Sequence, residues 1–435
     1  MSEQTTRRSM LQAAGAFAIS SQAHRILGAN DRVNIAIIGI GGRGTAHLRE
    51  YLALPDSNVA ALCDVNQEAQ ERAQATVKRT KGNDAKVYSD MRKLFEDKDV
   101  DAVSVATPNH WHALTTIWAC QAGKDVYVEK PVSHNVFEGR QMTAAARKYK
   151  RIVQAGTQSR STPHKMEAMK LIAGGEIGKV FMAKALCYKR RKTIGKAPLL
   201  DTPPPGIDWS LFLGPAPMKK FSTNRFKYNW HWFWDTGNGD IGNQGVHEMD
   251  IALWGMGKKV MPKTVTCSGG KFVYDDDQET PNTQLATFDF GDAQLIFEVR
   301  GLPTHEDSPL KARGANTVGN IFWGSEGILA VDGGGYWIYK GEERQLVKEG
   351  KAQRGDDSPH MANFLKAVKS RNPADLNADV AVNALASNYC HLANIAYRTG
   401  KKLNWDAKAE KFHDAEADAM LTRKYRAPYI VPERV

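Results

Sequence analysis

The 435-residue sequence lacks several things that would direct its reading elsewhere. No apolar run approaches the roughly 18 residues of a membrane helix, so no membrane span is expected. Cysteine is sparse. Cys63, Cys120, Cys187, Cys267 and Cys390 stand far apart, odd in number and without C-x-x-C spacing, which excludes a disulfide framework and leaves them as small core residues. His231, Asp235, Asp240, His247 and Asp250 match no standard ligand spacing, so no metal is expected. There is no internal repeat, no low-complexity tract and no nucleic-acid-binding signature. The formal charge of +11 comes from lysines and arginines spread along the chain, and no nucleic-acid partner is expected. The one dense basic run, Lys189-Arg190-Arg191-Lys192, reads either as a solvated loop or as the neighbour of an anionic substrate.

What remains is an ordinary globular composition, 42% hydrophobic and 25% charged, in a chain long enough for two domains. Ahead of them, Thr6-Arg7-Arg8-Ser9-Met10-Leu11 leads into a weakly apolar stretch at 13–20 and small residues at Ser21-Gln22-Ala23. This resembles a twin-arginine export signal. Residues 1–30 are therefore expected to be a signal and linker, with the mature chain starting near His24. The export machinery then becomes a partner and the periplasm the destination; a plain basic tail would leave the protein cytoplasmic.

From residue 33 the sequence alternates β-branched runs with helical patterns, which predicts a doubly wound parallel sheet over 31–155. Strands are expected at 33–39, 59–64, 100–106, 125–129 and 152–155, and helices at 44–54, 67–81, 90–96, 110–122 and 136–149. Residues 156–435 follow different rules. Strand patterns at 180–188, 260–273, 284–290, 294–300, 320–323, 327–331 and 335–339, separated by turns, predict an α+β domain built on a mostly antiparallel sheet. Helices are expected at 163–173, 245–254 and 379–399, followed by a polar tail.

The strongest local signal is Gly39-Ile40-Gly41-Gly42-Arg43-Gly44, a G-x-G-x-x-G that ends a strand and opens a helix. Gly39 permits the tight turn, Gly41 the approach of backbone to a pyrophosphate, and Gly44 close packing of helix on strand. Gly42 and Arg43 complete the loop, and the helix N-terminus favours an anion. Asp64, twenty residues on at the end of the second strand, can accept from ribose hydroxyls and repels a 2′-phosphate. NAD(H) is expected, and NADP less so. Thr107, Pro108 and Asn109 end the central strand along the nicotinamide edge. His110 and His112 follow, more suited to helix start and packing than to catalysis. Glu129-Lys130-Pro131 ends another strand, where the Lys130 ammonium can reach the crevice and steady an alkoxide; by spacing alone a surface lysine is the stronger reading.

The segments ATPNHWHA, AGKDVYVEKP and GTQSR together resemble the Gfo/Idh/MocA family of sugar and polyol oxidoreductases, over roughly residues 33–406. The resemblance implies a Rossmann domain, a C-terminal open-faced sheet, and hydride transfer at a carbohydrate carbinol. It makes Glu129-Lys130-Pro131 the family's E-K-P, with Lys130 contacting substrate. It also aligns Asn243-Gln244-Gly245-Val246-His247-Glu248-Met249-Asp250 with the family's D-x-G-x-H-x-x-D. His247 then becomes the acid/base, with a pKa range suited to the task. The leading aspartate is Asn243 here, which cannot take a proton or balance an imidazolium. Asp240 or Asp250, each about one turn away, are candidates for the missing charge. The aromatic run 228–235, with Trp232 in it, is either a wall for sugar C–H faces or packing. Gln158 and Arg160 are further candidates to touch substrate or nicotinamide.

These features predict an exported NAD-dependent dehydrogenase of a sugar, sugar derivative or cyclitol, its cofactor tightly held. A redox-neutral NAD-dependent glycosidase and a non-catalytic carbohydrate or cofactor-binding protein are the competing readings. An open sheet face also predicts a homo-oligomer.

Overall fold

The computed structural model describes residues 31–435 except 305–308, 312, 315, 354 and 356. The arginine pair and signal expected over 1–30 lie outside the described residues. Six strands, β1 (Val33–Ile38), β2 (Ser57–Cys63), β3 (Lys86–Tyr88), β4 (Ala102–Val105), β5 (Asp125–Val128) and β6 (Val153–Ala155), pair in parallel in the order 3-2-1-4-5-6. Every residue of β4 and β5 is buried, as a strand covered on both faces requires. The order reverses between β1 and β4, and a crevice opens beyond their C-terminal ends. The helix Gln67–Lys81 runs where the sequence predicts. Asn66 caps it by accepting from the Glu68 N–H, and Gly82 ends it in the left-handed region at φ 74°.

The second sheet has nine strands: β7 (Val180–Lys189), β8 (Thr264–Gly270), β9 (Thr283–Asp289), β10 (Gln294–Arg300), β11 (Asn316–Gly324), β12 (Ile328–Asp332), β13 (Gly335–Lys340), β14 (Gln345–Lys351) and β15 (Leu403–Asn404). Their order is 14-13-12-11-7-10-9-8-15, antiparallel throughout except for β7 beside β10. Along β7, Ala183, Ala185 and Cys187 face a core shared with helices Pro163–Ala173, Gly245–Gly255 and Val380–Thr399. Leu186 and Tyr188 point the other way, into a small cluster with Ile321 and Ala330. That second face carries no helix of this cluster. The α/β class, the Rossmann sheet and the open-faced antiparallel sheet are thus as the sequence predicts.

Four local expectations need correction. The strand predicted over 260–273 covers only Thr264–Gly270, because Pro262 cannot donate to a ladder. The short β3 and β15 and the exposed β14 are additional. The helix Ser358–Ser370 is also additional, and Met361, Phe364, Leu365 and Val368 on it are buried with Val33, Ile35 and Tyr51 in one face of the Rossmann core. Nor is the C-terminal stretch a detached polar tail. Tyr429 and Val431, with Val380 and Ala384, fill the opposite Rossmann face beside Ala36, Val103 and Trp111. The last eighty residues therefore return to the first domain and fix it against the second sheet.

Candidate active site

The crevice is a cleft of about 930 Å3 that begins at the glycine loop and ends on the second domain. Gly39 turns at φ 82°, and a Cβ there would lie 2.8 Å from the Ala106 carbonyl carbon. A Cβ on Gly44 would lie 1.8 Å from the Gly39 carbonyl oxygen, so helix and strand touch through this residue. Gly41 and Gly42 differ: no protein atom lies within 4 Å of a Cβ at either, and both line the cleft. Asp64 faces the same space. Its two oxygens accept from the Ile40 N–H at 2.5 Å and the Asn66 N–H at 2.9 Å, which leaves further lone pairs for ribose hydroxyls. Thr107 and Asn109 line the next stretch, where the Thr107 hydroxyl and the Asn109 side-chain carbonyl are buried without a partner among the described residues.

Beyond them the Glu129 carboxylate acts as a hub. It accepts from Arg43 Nε at 2.7 Å, His47 Nε2 at 2.9 Å and Gln158 Nε2 at 2.9 Å. Burial pushes the Glu129 carboxyl up, but Arg43 and His47 outweigh it and hold it well below the usual range. Arg43 also reaches Asp357 at 2.8 Å, tying the glycine loop to the C-terminal half. Glu129 thus anchors the residue next to it. Lys130 Nζ donates to the Asn243 backbone carbonyl at 2.8 Å, and burial holds its pKa below that of a free lysine. Pro108, Lys130 and Asn243 line one cavity.

The helix carrying the second motif divides its residues between two spaces. Asn243, 6% exposed, donates to the Tyr228 hydroxyl at 2.9 Å and to Asp240 at 3.3 Å. His247 borders a neighbouring cavity of about 480 Å3, and Gln244 lines both. The His247 ring makes no protein hydrogen bond among the described residues, and burial and then Lys130 hold it neutral well below the usual histidine range. Glu248 beside it is pushed up to about 8 by burial. The two carboxylates considered as substitutes for the missing aspartate are both committed elsewhere. Asp240 takes Arg191 at 2.6 and 2.9 Å, and Asp250 takes Arg160 at 2.7 and 2.9 Å. Arg160 therefore serves as a structural tie, with its guanidinium over Trp254, and lines neither cavity.

Trp232 is likewise buried at 3% exposure and is absent from the cleft wall. Its neighbours Tyr228, Trp230 and His231 form that wall instead, with His231 stacked on Trp230 and its Nδ1 bonded to the Tyr228 carbonyl at 2.5 Å. Lys189 and Arg191, at the end of β7, complete it. Spacing singles out the aromatic and basic runs but not which members turn inward. His112 is a loop tie: its ring nitrogens meet the Pro131 and Thr107 carbonyls at 2.7 and 2.8 Å. Among the described residues no group of acids, histidines or cysteines is arranged for a metal.

Buried histidines also give a pH dependence. Burial lowers His110 and His391 from 6.5 to about 3 each. Between those values the unfolded chain binds more protons than the native one, so this part of the stability is complete above pH 6.5 and declines as pH falls. Glu248, raised to about 8, and Glu138, raised to about 7, act in the opposite sense but are outnumbered by the lowered histidines, which include His47, His112, His231, His247 and His360. Thermal melts should show a Tm that rises slightly from pH 8 to 7 and falls from 6.5 to 5; a Tm unchanged between 6.5 and 5 would contradict the neutral assignment.

An oxidoreductase family with an NAD-binding Rossmann fold matches residues 33–157, and that family's C-terminal alpha/beta domain matches 166–279 and 329–431. Similar proteins include an inositol 2-dehydrogenase of Salmonella typhimurium (33% identical over 35% of this chain) and a levoglucosan dehydrogenase of Pseudarthrobacter phenanthrenivorans (32% over 34%). A glycosyl hydrolase family 109 protein of Saccharopolyspora erythraea is 30% identical over 38% of the chain. The matches span 45%, 39% and 37% of those three proteins. A solved levoglucosan dehydrogenase, in complex with NADH and levoglucosan, shares the fold with a TM-score of 0.64 at 18% identity, over 86% of this chain and 99% of that one. With both halves matched, the chain belongs to the Gfo/Idh/MocA family of NAD-binding oxidoreductases.

Proposed function

We propose that this protein is an NAD-dependent dehydrogenase of a carbinol on a sugar, sugar derivative or cyclitol. The observation that carries the reading is one cleft joining the glycine loop and Asp64 to Lys130, Asn243 and an aromatic wall. The residues fit the dinucleotide. The open Cβ positions of Gly41 and Gly42 suit a pyrophosphate, Asp64 suits a ribose, and the unpartnered polar atoms of Thr107 and Asn109 suit a nicotinamide amide. Bound NAD supplies a hydride acceptor, or as NADH a donor.

The chain's own groups do the rest. Lys130 stabilises negative charge on the reacting oxygen, in a site where burial strengthens such a contact. His247 takes the hydroxyl proton from the adjoining cavity, which shares Gln244 with the cleft and lies within reach of the Lys130 charge: its ring is neutral and makes no protein hydrogen bond among the described residues. Asn243 fixes Lys130 through its carbonyl and Tyr228 through its amide. Tyr228 and Trp230 offer faces to sugar C–H groups. Lys130→Met is expected to lower kcat about a hundredfold with NAD affinity retained; unchanged kcat in steady-state assays would remove Lys130 from the reaction. The sugar class is supported by the levoglucosan and inositol dehydrogenases among the relatives.

Export by the twin-arginine route and a tightly held NAD(H) belong to the same proposal, as does a homo-oligomer formed through the open sheet face, where Phe181 and Leu285 are exposed. The glycosyl hydrolase family 109 relative supports a second reading, a glycosidase that oxidises, eliminates, hydrates and reduces with no net redox change. Protein purified from the periplasm, its nucleotide released and identified, and then assayed with free sugars and with glycosides separates the two. Lasting NADH supports the dehydrogenase. Glycoside cleavage without it supports the glycosidase, and neither would reject both.

A further inference from the structure

At the substrate end of the cleft Arg191 is matched by Asp240, Arg43 is shared by Glu129 and Asp357, and burial keeps His47 neutral. Two half-buried ammonium groups remain, Lys130 and Lys189, whose bonds among the described residues go to neutral acceptors. Lys130 donates to the Asn243 carbonyl, and Lys189 donates to the Gln244 side-chain carbonyl at 2.7 Å. Gln244 in turn leans on Glu248 at 3.3 Å, but burial of Glu248 favours its neutral acid at pH 7. The Asn243 side chain adds no charge beside them: it is an uncharged amide turned to the Tyr228 hydroxyl and Asp240. Holding cations in a partly desolvated wall on uncharged acceptors is costly, and a charge-assisted bond to an anion offsets that cost.

We propose that the substrate is an anionic carbohydrate, a sugar bearing a carboxylate or a phosphate, with the oxyanion held by Lys189. The inference rests on the dehydrogenase reading and names its substrate class. Lys189 exchanges the Gln244 amide for the oxyanion, and the Arg191 guanidinium adds a second positive edge. The sugar ring lies along Tyr228, and the reacting hydroxyl reaches Lys130. The basic run at 189–192, left open by the sequence, thereby acquires a role for two of its members. Asp64 stands among the glycine-loop residues and leaves the balance here unchanged.

The test is a matched panel of glucose, galactose and mannose, each as the neutral hexose, the uronate and the 6-phosphate, with inositol, assayed for NADH formation with the intact protein and NAD. At least one anionic series should exceed its neutral partner tenfold or more in kcat/KM, with the advantage shrinking as salt rises. The uronate and phosphate arms identify which oxyanion is held. Lys189→Gln should raise KM for the anionic sugar at least tenfold while changing kcat less. Neutral sugars oxidised as well as their anionic forms would overturn the inference and leave the dehydrogenase standing. If no member yields NADH, the dehydrogenase reading fails. Quenching of tryptophan fluorescence then decides: tighter binding of anions, lost in Lys189→Gln, supports the oxyanion site, and equal binding of neutral sugars rejects it.

Discussion

His247→Asn should fold normally, bind NAD normally and lose about 10²- to 10⁴-fold in kcat, the range a positioned acid/base contributes. Folding should survive because the ring makes no protein hydrogen bond among the described residues, so its removal strands no buried partner. The comparison variant is His231→Asn. His231 lines the cleft, but its Nδ1 is spent on the Tyr228 carbonyl and its ring is stacked on Trp230. Replacing it should disturb that wall and raise KM, with kcat changed less than tenfold. Burial lowers His231 to about 3 and His247 also well below the usual range, so both rings are neutral at pH 7 and protonation state does not separate them. Rate does. A large loss of kcat in His231→Asn with little in His247→Asn would exchange their roles.

The second large effect concerns the glycine loop, where two chemically identical substitutions should fail differently. In Gly44→Ala the new methyl would lie 1.8 Å from the Gly39 carbonyl oxygen, which is backbone and cannot rotate away. The helix must move off β1, at a cost of about 3 kcal/mol or more, and NAD binding should be lost with it. Gly41→Ala meets no protein atom within 4 Å, so its Tm should stay near that of the parent. Its methyl instead enters the space taken by the pyrophosphate, and NAD affinity should fall at least tenfold. Thermal melts and NAD titrations on the two proteins check this. A stable Gly44→Ala, or a Gly41→Ala that binds NAD like the parent, would contradict the placement.

The Rossmann half was largely legible because its strands are continuous β-branched runs and its glycines and Asp64 sit at spacings fixed by the turn. The helices Gln67–Lys81 and Pro163–Ala173 and the strand Gln294–Arg300 have the predicted bounds. β14 escaped because, as an exposed edge strand, its Gln345–Lys351 shows no buried alternation. The helix Ser358–Ser370 did carry a signal, with Met361, Phe364, Leu365 and Val368 at helical spacing, but not the fact that its apolar side closes a domain three hundred residues earlier. The site shows the same division. Lys130 and the nucleotide loop are local motifs. The commitment of Asp240 to Arg191 and of Asp250 to Arg160, and the turning of Tyr228 rather than Trp232 toward the cleft, depend on contacts between distant segments that spacing does not encode.

The proposed function requires that a carbinol hydrogen pass between substrate and nicotinamide in this cleft. The most direct measurement supplies a sugar substrate deuterated at the reacting carbon, with NAD, and reads the released nucleotide by mass spectrometry. NADH one mass unit heavier is expected, formed in step with a keto-sugar and lost together with it in Lys130→Met. Sugar turnover that leaves no deuterium in the nucleotide would contradict it.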